Sequence, residues 1–138
     1  KRYGTVPGKA VRPKALLAIL LDISASMKEQ SINSFLNEVD RLLERGIDIV
    51  LFQVDDRIRS VEPYRAGMPV RIGRGGGTNF NQAFDYIEKE KKFDGLVICT
   101  DGMLQQRPRT INLNHIWILE SRQDLPFLLP GNQAYLNH

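Results

Sequence analysis

The stretch ALLAILLDISASM, residues 15–27, decides how the rest of this sequence is read. Residues 15–21 are all apolar, and Asp22, Ser24 and Ser26 then fall at every second position. A short, continuous apolar run is the pattern of a strand covered on both faces, as in a parallel sheet. Such a strand carries the residues after it to the carboxyl edge of the sheet. Three oxygen-bearing side chains therefore arrive together at one rim.

Working outward, Ile32, Phe35, Val39, Leu42 and Leu43 mark one face of a helix, with Gly46 as its stop. IDIVLFQV (47–54) reads as a second buried strand, and RIRSVEP (57–63) as a weaker edge strand entered through a turn at Asp55-Asp56. GRGGGTNF (73–80) is a loop ending at a helix start, because Phe80, Ala83, Phe84 and Ile87 again share a face. That helix is expected to run into the charged EKEKK and stop near Asp94-Gly95. LVICT (96–100) and HIWIL (115–119) are two more strands, and the proline-broken tail from residue 125 is expected to close one end of the sheet. Strands alternating with amphipathic helices predict an α/β fold: a doubly wound, mostly parallel sheet flanked by helices on both faces. Ligands of such sheets bind beyond the carboxyl ends of the strands, where strand order reverses.

Residues 1–14, with Gly4, Pro7, Gly8 and Pro13, read as a basic lead-in or linker, and 15–138 as one domain. A chain of 138 residues that is 42% hydrophobic and 25% charged has the makings of a single globular core. No apolar run reaches the roughly 20 residues of a membrane-spanning helix, so no membrane partner is expected. Lys1 in place of Met reads as a piece of a longer chain, which leaves an upstream targeting segment open. The single cysteine, Cys99, has no partner for an internal disulfide, which favours a reducing compartment and a cytoplasmic location. The net charge of +3 is unevenly spread. Five basic residues precede the first acid, Asp22, and Arg71, Arg74, Arg107 and Arg109 fall in predicted loops. This suits an acidic partner and, more weakly, a nucleic acid; the plainer reading is a solvated surface.

Three motifs converge on the predicted rim. Asp22 closes the first strand and Ser24 and Ser26 come after it; Asp101, in CTDG, closes the fourth; Thr78 opens the second helix after the glycine loop. Two carboxylates and three hydroxyls form a hard, oxygen-only set that suits Mg²⁺, Mn²⁺ or Ca²⁺ and matches Zn²⁺ or Cu²⁺ poorly. Neutral hydroxyl ligands leave cation charge unquenched, which attracts an anionic oxygen from outside. Each residue also has a plainer role. Ser26 with Glu29 spells a capping box, Thr78 an N-cap, and Asp101-Gly102 a turn. Asp22 is hardest to explain that way, since a carboxylate beside a buried strand needs a partner.

D-x-S-x-S after an apolar strand, Gly-Gly-Thr before a helix and T-D-G after a later strand resemble a von Willebrand factor A (VWA) domain with its metal-ion-dependent adhesion site. With VDDRI, GRGGGTNF, FDGLVICTDG and HIWIL, residues 15–120 are similar to the compact C-terminal VWA-like domain of bacterial proteins described as predicted metallopeptidases. The resemblance implies that Asp22, Ser24, Ser26, Thr78 and Asp101 hold Mg²⁺ or Mn²⁺, and that an Asp or Glu of a partner protein completes the shell. It also implies a MoxR-type AAA+ ATPase as a class of partner. One departure stands out. Only fourteen residues, interrupted by Pro108, separate Thr100 from His115, too few for a full crossover helix.

These residues together favour a non-enzymatic binding module with no catalytic residues. One alternative is a phosphoryl-transfer enzyme with Asp22 as nucleophile, but Ser24 stands where a second acid is wanted. A serine hydrolase fares worse, because neither His115 nor His138 has a triad setting. The other alternative is nucleotide or RNA binding through the Gly/Arg-rich loop, which lacks the Lys-Ser/Thr of a P-loop.

Overall fold

The computed structural model describes residues 14–70 and 77–136. Most of the expected lead-in (1–13) and of the glycine loop (71–76) lies outside the described residues. In chain order the elements are β1 (Leu16–Asp22), α1 (Glu29–Glu44), β2 (Asp48–Val54), β3 (Ile58–Pro63), α2 (Asn81–Glu90), β4 (Gly95–Thr100), β5 (His115–Leu119) and β6 (Asn132–Tyr135). The strands form one sheet in the order β3-β2-β1-β4-β5-β6. All neighbours are parallel except the β2–β3 pair, which is antiparallel. The sheet is therefore the mostly parallel α/β sheet that the alternation of elements predicts.

The chain winds from β1 outward to β2 and β3, then crosses back to place β4 on the other side of β1. Strand order thus reverses between β1 and β4, and the crevice beyond their carboxyl ends is the natural ligand position in this architecture. Residues of β1 alternate between two cores. Ala18 and Leu20 join Phe52, Phe80, Phe84, Ile98 and Trp117 under α2. Ile19 and Leu21 join Ile32, Phe35, Val39, Leu51 and Cys99 under α1. One helix thus seals each face. By the same period of two, Asp22 and Thr100 fall on the α2 side, the side from which residue 78 enters α2.

The helix ends differ in cause. α1 stops where the sequence suggests: Gly46 adopts φ +84°, and its N–H and that of Arg45 return to carbonyls of the last turn. α2 stops earlier than expected, at Lys91 in the left-handed region (φ 55°), rather than near Asp94-Gly95. The charged run has no apolar face to bury, and Phe93 is buried instead against Phe52. The β4–β5 connection carries no helix, as its length predicts. The tail does close one end of the sheet, but through a fourth consecutive parallel pairing, β5 with β6, which the sequence pattern does not announce. Trp117 Nε1 donates to the Pro130 carbonyl at 2.9 Å and fixes the β5–β6 connection. Among the described residues, no helix is long and apolar enough to cross a membrane.

Candidate metal centre

Asp22 is the last residue of β1 and is completely buried, with a strand on either side. Three donors converge on its carboxylate. The Ser24 N–H reaches Oδ1 at 2.9 Å. The Thr78 hydroxyl lies 3.2 Å from Oδ1 and 3.3 Å from Oδ2, so its single proton is shared between them. The Thr100 hydroxyl donates to Oδ2 at 2.6 Å, and itself accepts the Gly102 N–H at 3.0 Å. Two of the three segments that the sequence points to, the first strand and the helix-start threonine, are therefore in direct contact.

Ser24 and Ser26 lie in the turn at residues 24–27, where the Met27 N–H bonds the Ser24 carbonyl. Their hydroxyls are 3.1 Å apart; Ser24 is buried and Ser26 is exposed. The capping-box reading of Ser26 with Glu29 does not hold. Lys28 is the N-cap of α1, with no side-chain cap, and Ser26 turns back to Ser24 instead. Nor is Thr78 an N-cap: Phe80 occupies that position, and the Asn79 side chain accepts the Asn81 N–H at 3.0 Å. Both hydroxyls are thus spent on the rim, not on helix ends.

Asp101 comes directly after β4 and is buried. Its Oδ1 accepts the Met103 N–H at 2.9 Å around Gly102 at φ +85°, so the turn reading is correct for that oxygen. The carboxylate still lies close enough to Asp22 for the two negative charges to repel. The loops are locked to one another. The Gln105 N–H donates to the Thr78 carbonyl at 3.1 Å, and the Asn79 N–H to the Asp55 carbonyl, at the end of β2, at 2.9 Å. Gly77 allows the first of these contacts, since a Cβ there would stand 1.8 Å from Gln105 Cδ.

Burial pushes the Asp22 carboxyl up from 3.8 to about 6; the hydrogen bonds from Ser24 and Thr100 hold it down, and Asp101 pushes it further up. No Lys or Arg pairs with either carboxylate among the described residues. Nor do three His, Cys, Asp or Glu side chains come together there. A buried carboxylate ringed by hydroxyls, with a second carboxylate nearby and no counter-cation, fits a small hard cation and gives a soft metal no ligand.

Thr100 and Gln123 are rim residues that the sequence reading passes over. Thr100 figures there only as the end of a strand; Gln123 Nε2 donates to the Asp101 carbonyl at 2.9 Å. The loop arginines divide. Arg109 is consumed by ion pairs to Asp85 at 2.8 Å and to Glu88, both on α2, so it offers no free charge to a partner. Arg71 and Arg74 lie outside the described residues. Arg107 makes no ion pair among the described residues and sits over the Phe127 ring at 5.7 Å.

Residues 17–132 match the family model for the VWA-like domain DUF2201. The chain is also similar to an uncharacterized protein of Thermotoga maritima, at 32% identity over 105 residues. That alignment covers 74% of this chain but only 26% of the relative, so the chain spans about a quarter of that protein. With the reversal of strand order at β1 and β4, and with the rim built from three separated loops, this chain belongs to the VWA-like domain family.

Proposed function

We propose that this domain is a divalent-cation-dependent protein-interaction module. Asp22, Ser24, Ser26, Thr78 and Asp101 hold Mg²⁺ or Mn²⁺, and a partner protein supplies an Asp or Glu carboxylate. The observation that carries the reading is Asp22: a fully buried carboxylate held by hydroxyls, with no basic side chain paired to it among the described residues. A bound cation supplies the positive charge that offsets the burial of two acids and attracts a third. The chain's own contribution is orientation. Thr100 and the Ser24 N–H fix the Asp22 carboxylate, and the turn at Gly102 fixes Asp101. A MoxR-type AAA+ ATPase is the class of partner that the family resemblance suggests.

The phosphoryl-transfer alternative has little support. A nucleophilic Asp22 needs a second acid for proton transfer, and Ser24, two residues on, instead donates its N–H to the Asp22 carboxylate. Nucleic-acid binding loses Arg109, whose charge is neutralised on α2.

The test is Mn²⁺ binding to chelator-stripped protein, read by EPR at neutral pH, beside Asp22→Ala and Thr78→Ala. One site, lost in the first variant and weakened in the second, is expected. No binding at millimolar Mn²⁺, or binding indifferent to both changes, removes the metal reading.

A further inference from the structure

A cleft of about 470 Å³ opens beside the third loop of the rim, lined by Arg107, Gln123, Asp124, Leu125, Phe127 and Leu129 among others. Two contacts make it continuous with the candidate metal centre. Gln123, which lines it, holds the Asp101 carbonyl through Nε2. Leu125, also in its wall, packs so closely on the Gly102 turn that a Cβ on that glycine would lie 2.6 Å from Leu125 Cδ2. The cleft therefore begins where the Asp101 turn ends.

Its surroundings are unusual for a solvated surface. Leu128, another lining residue, is 87% exposed, and Met103, two residues from Asp101, is 38% exposed. These are two of three large exposed apolar side chains among the described residues. Arg107 brings a guanidinium that is unpaired among the described residues and steadied over the Phe127 ring, a group suited to a carboxylate. Asp124 brings one negative charge to the same cleft and pairs with no base among the described residues.

We infer that this cleft is the specificity half of the partner site: it receives an acidic protein segment that places an aliphatic side chain against Leu125, Phe127 and Leu129 and a second carboxylate on Arg107. The inference rests on the proposed metal reading, in which the segment's first carboxylate goes to the cation. An acid on the metal selects for charge alone; the cleft adds size and spacing. Apolar burial supplies the affinity, and the Arg107 pairing fixes direction along the groove. Asp124 works against an acidic occupant, so it limits affinity.

The experiment uses ¹⁵N-labelled protein with saturating Mg²⁺ and a set of capped peptides. Each carries Asp, a spacer of zero to three glycines, then Leu-Asp; the control set has Gly in place of Leu. One spacer length is expected to shift the amides of Arg107, Leu125 and Phe127 together with those of Ser24 and Asp101. The Leu→Gly control is expected to shift the metal loops alone. Arg107→Ala is expected to weaken that peptide about tenfold, and Asp124→Asn to tighten it, both with Mn²⁺ affinity unchanged. Peptides with and without Leu binding alike, or the two variants acting in the same direction, overturns the cleft while leaving the metal reading intact. No Mg²⁺-induced shifts in the three loops removes both. A uridine oligonucleotide that shifts the cleft amides equally with and without Mg²⁺ overturns the assignment in favour of RNA.

Discussion

Thr100 and Asp22, at the ends of neighbouring parallel strands, are joined by a 2.6 Å hydrogen bond that the Gly102 N–H aims by occupying the hydroxyl from behind. Replacing Thr100 by Val removes both bonds and leaves a buried N–H unsatisfied, at a cost of about 1–3 kcal/mol. It also frees the carboxylate to rotate, so Mn²⁺ affinity is expected to fall by about 10–100-fold. Thr100→Ser keeps the hydroxyl and is expected to restore most of that loss. Denaturant unfolding and EPR titration of the two variants separate these effects. Equal behaviour of Val and Ser would remove Thr100 from the site.

The buried Asp22 carboxyl contributes less to the metal-free fold at neutral pH than in acid. Its folded value, about 6, lies above the ordinary 3.8, so its contribution is fully present below about pH 4 and is lost as pH rises through about 6. Asp22→Asn cannot ionise but turns an N–H₂ donor toward Ser24 or Thr100, so it loses a hydrogen bond at every pH. Its stability relative to wild type in chelator is therefore expected to rise by about 3 kcal/mol between pH 4 and pH 7. Saturating Mg²⁺ is expected to raise wild type relative to the variant, since only the wild-type site gains from it. Thermal melts of both proteins at the two pH values, with and without chelator, decide this. A difference between the two proteins in chelator that does not grow from pH 4 to pH 7 contradicts the burial argument.

Protons and cations compete for the same carboxylate. Mn²⁺ affinity is expected to be flat above pH 7 and to fall about tenfold per pH unit well below pH 6, the signature of one displaced proton. A profile flat down to pH 4.5 would place the ion elsewhere.

Gly102 combines a φ of +85° with the Leu125 contact, so Gly102→Ala carries both backbone strain and a steric clash. It is expected to cost about 1–3 kcal/mol and to move Asp101, weakening Mn²⁺ binding as well. Gly77→Ala drives its Cβ to 1.8 Å from Gln105 Cδ and 2.0 Å from Cγ, so the Gln105 side chain must swing away; without a left-handed backbone to strain, it is expected to cost less than Gly102→Ala. Chemical denaturation of the pair measures the contrast.

Cys99 is buried in the core under α1, and burial pushes its thiol up to about 12. A thiol reagent at pH 8 is expected to leave it unmodified in the folded protein and to label it fully in denaturant. Rapid native labelling would mean that β4 opens locally.

Much of this architecture is legible in the sequence because apolar runs and helical faces are long and uninterrupted. LLAILLD, DIVLFQV and GLVICT stand out as buried strands, and α1 and α2 through Phe35 and Phe84. β6 is not legible: NQAY is four residues long, polar at its start, and made a strand only by the edge of β5. Local spacing also misleads at Ser26, where a capping box is spelled but tertiary contact with Ser24 wins. Asp22, Ser24 and Thr78 are visible as oxygen side chains at strand and helix ends. Thr100 is within reach of the same reasoning by parity: it lies on the same face as Ile98 and Leu96, the face that Asp22 shares. What the sequence withholds is the register that sets those two residues side by side.

β1 lies in the middle of the sheet, paired to β2 along its whole length and to β4 over Leu17–Leu21, and Asp22 is its final residue. Its amides are therefore expected to exchange with solvent only when the whole domain unfolds, and those of the turns bearing Ser26 and Asp101 through local opening. The rim thus couples a carboxylate anchored in the middle of the sheet to donors carried on turns, and an ion held between them would be felt in hydrogen exchange first at the turns.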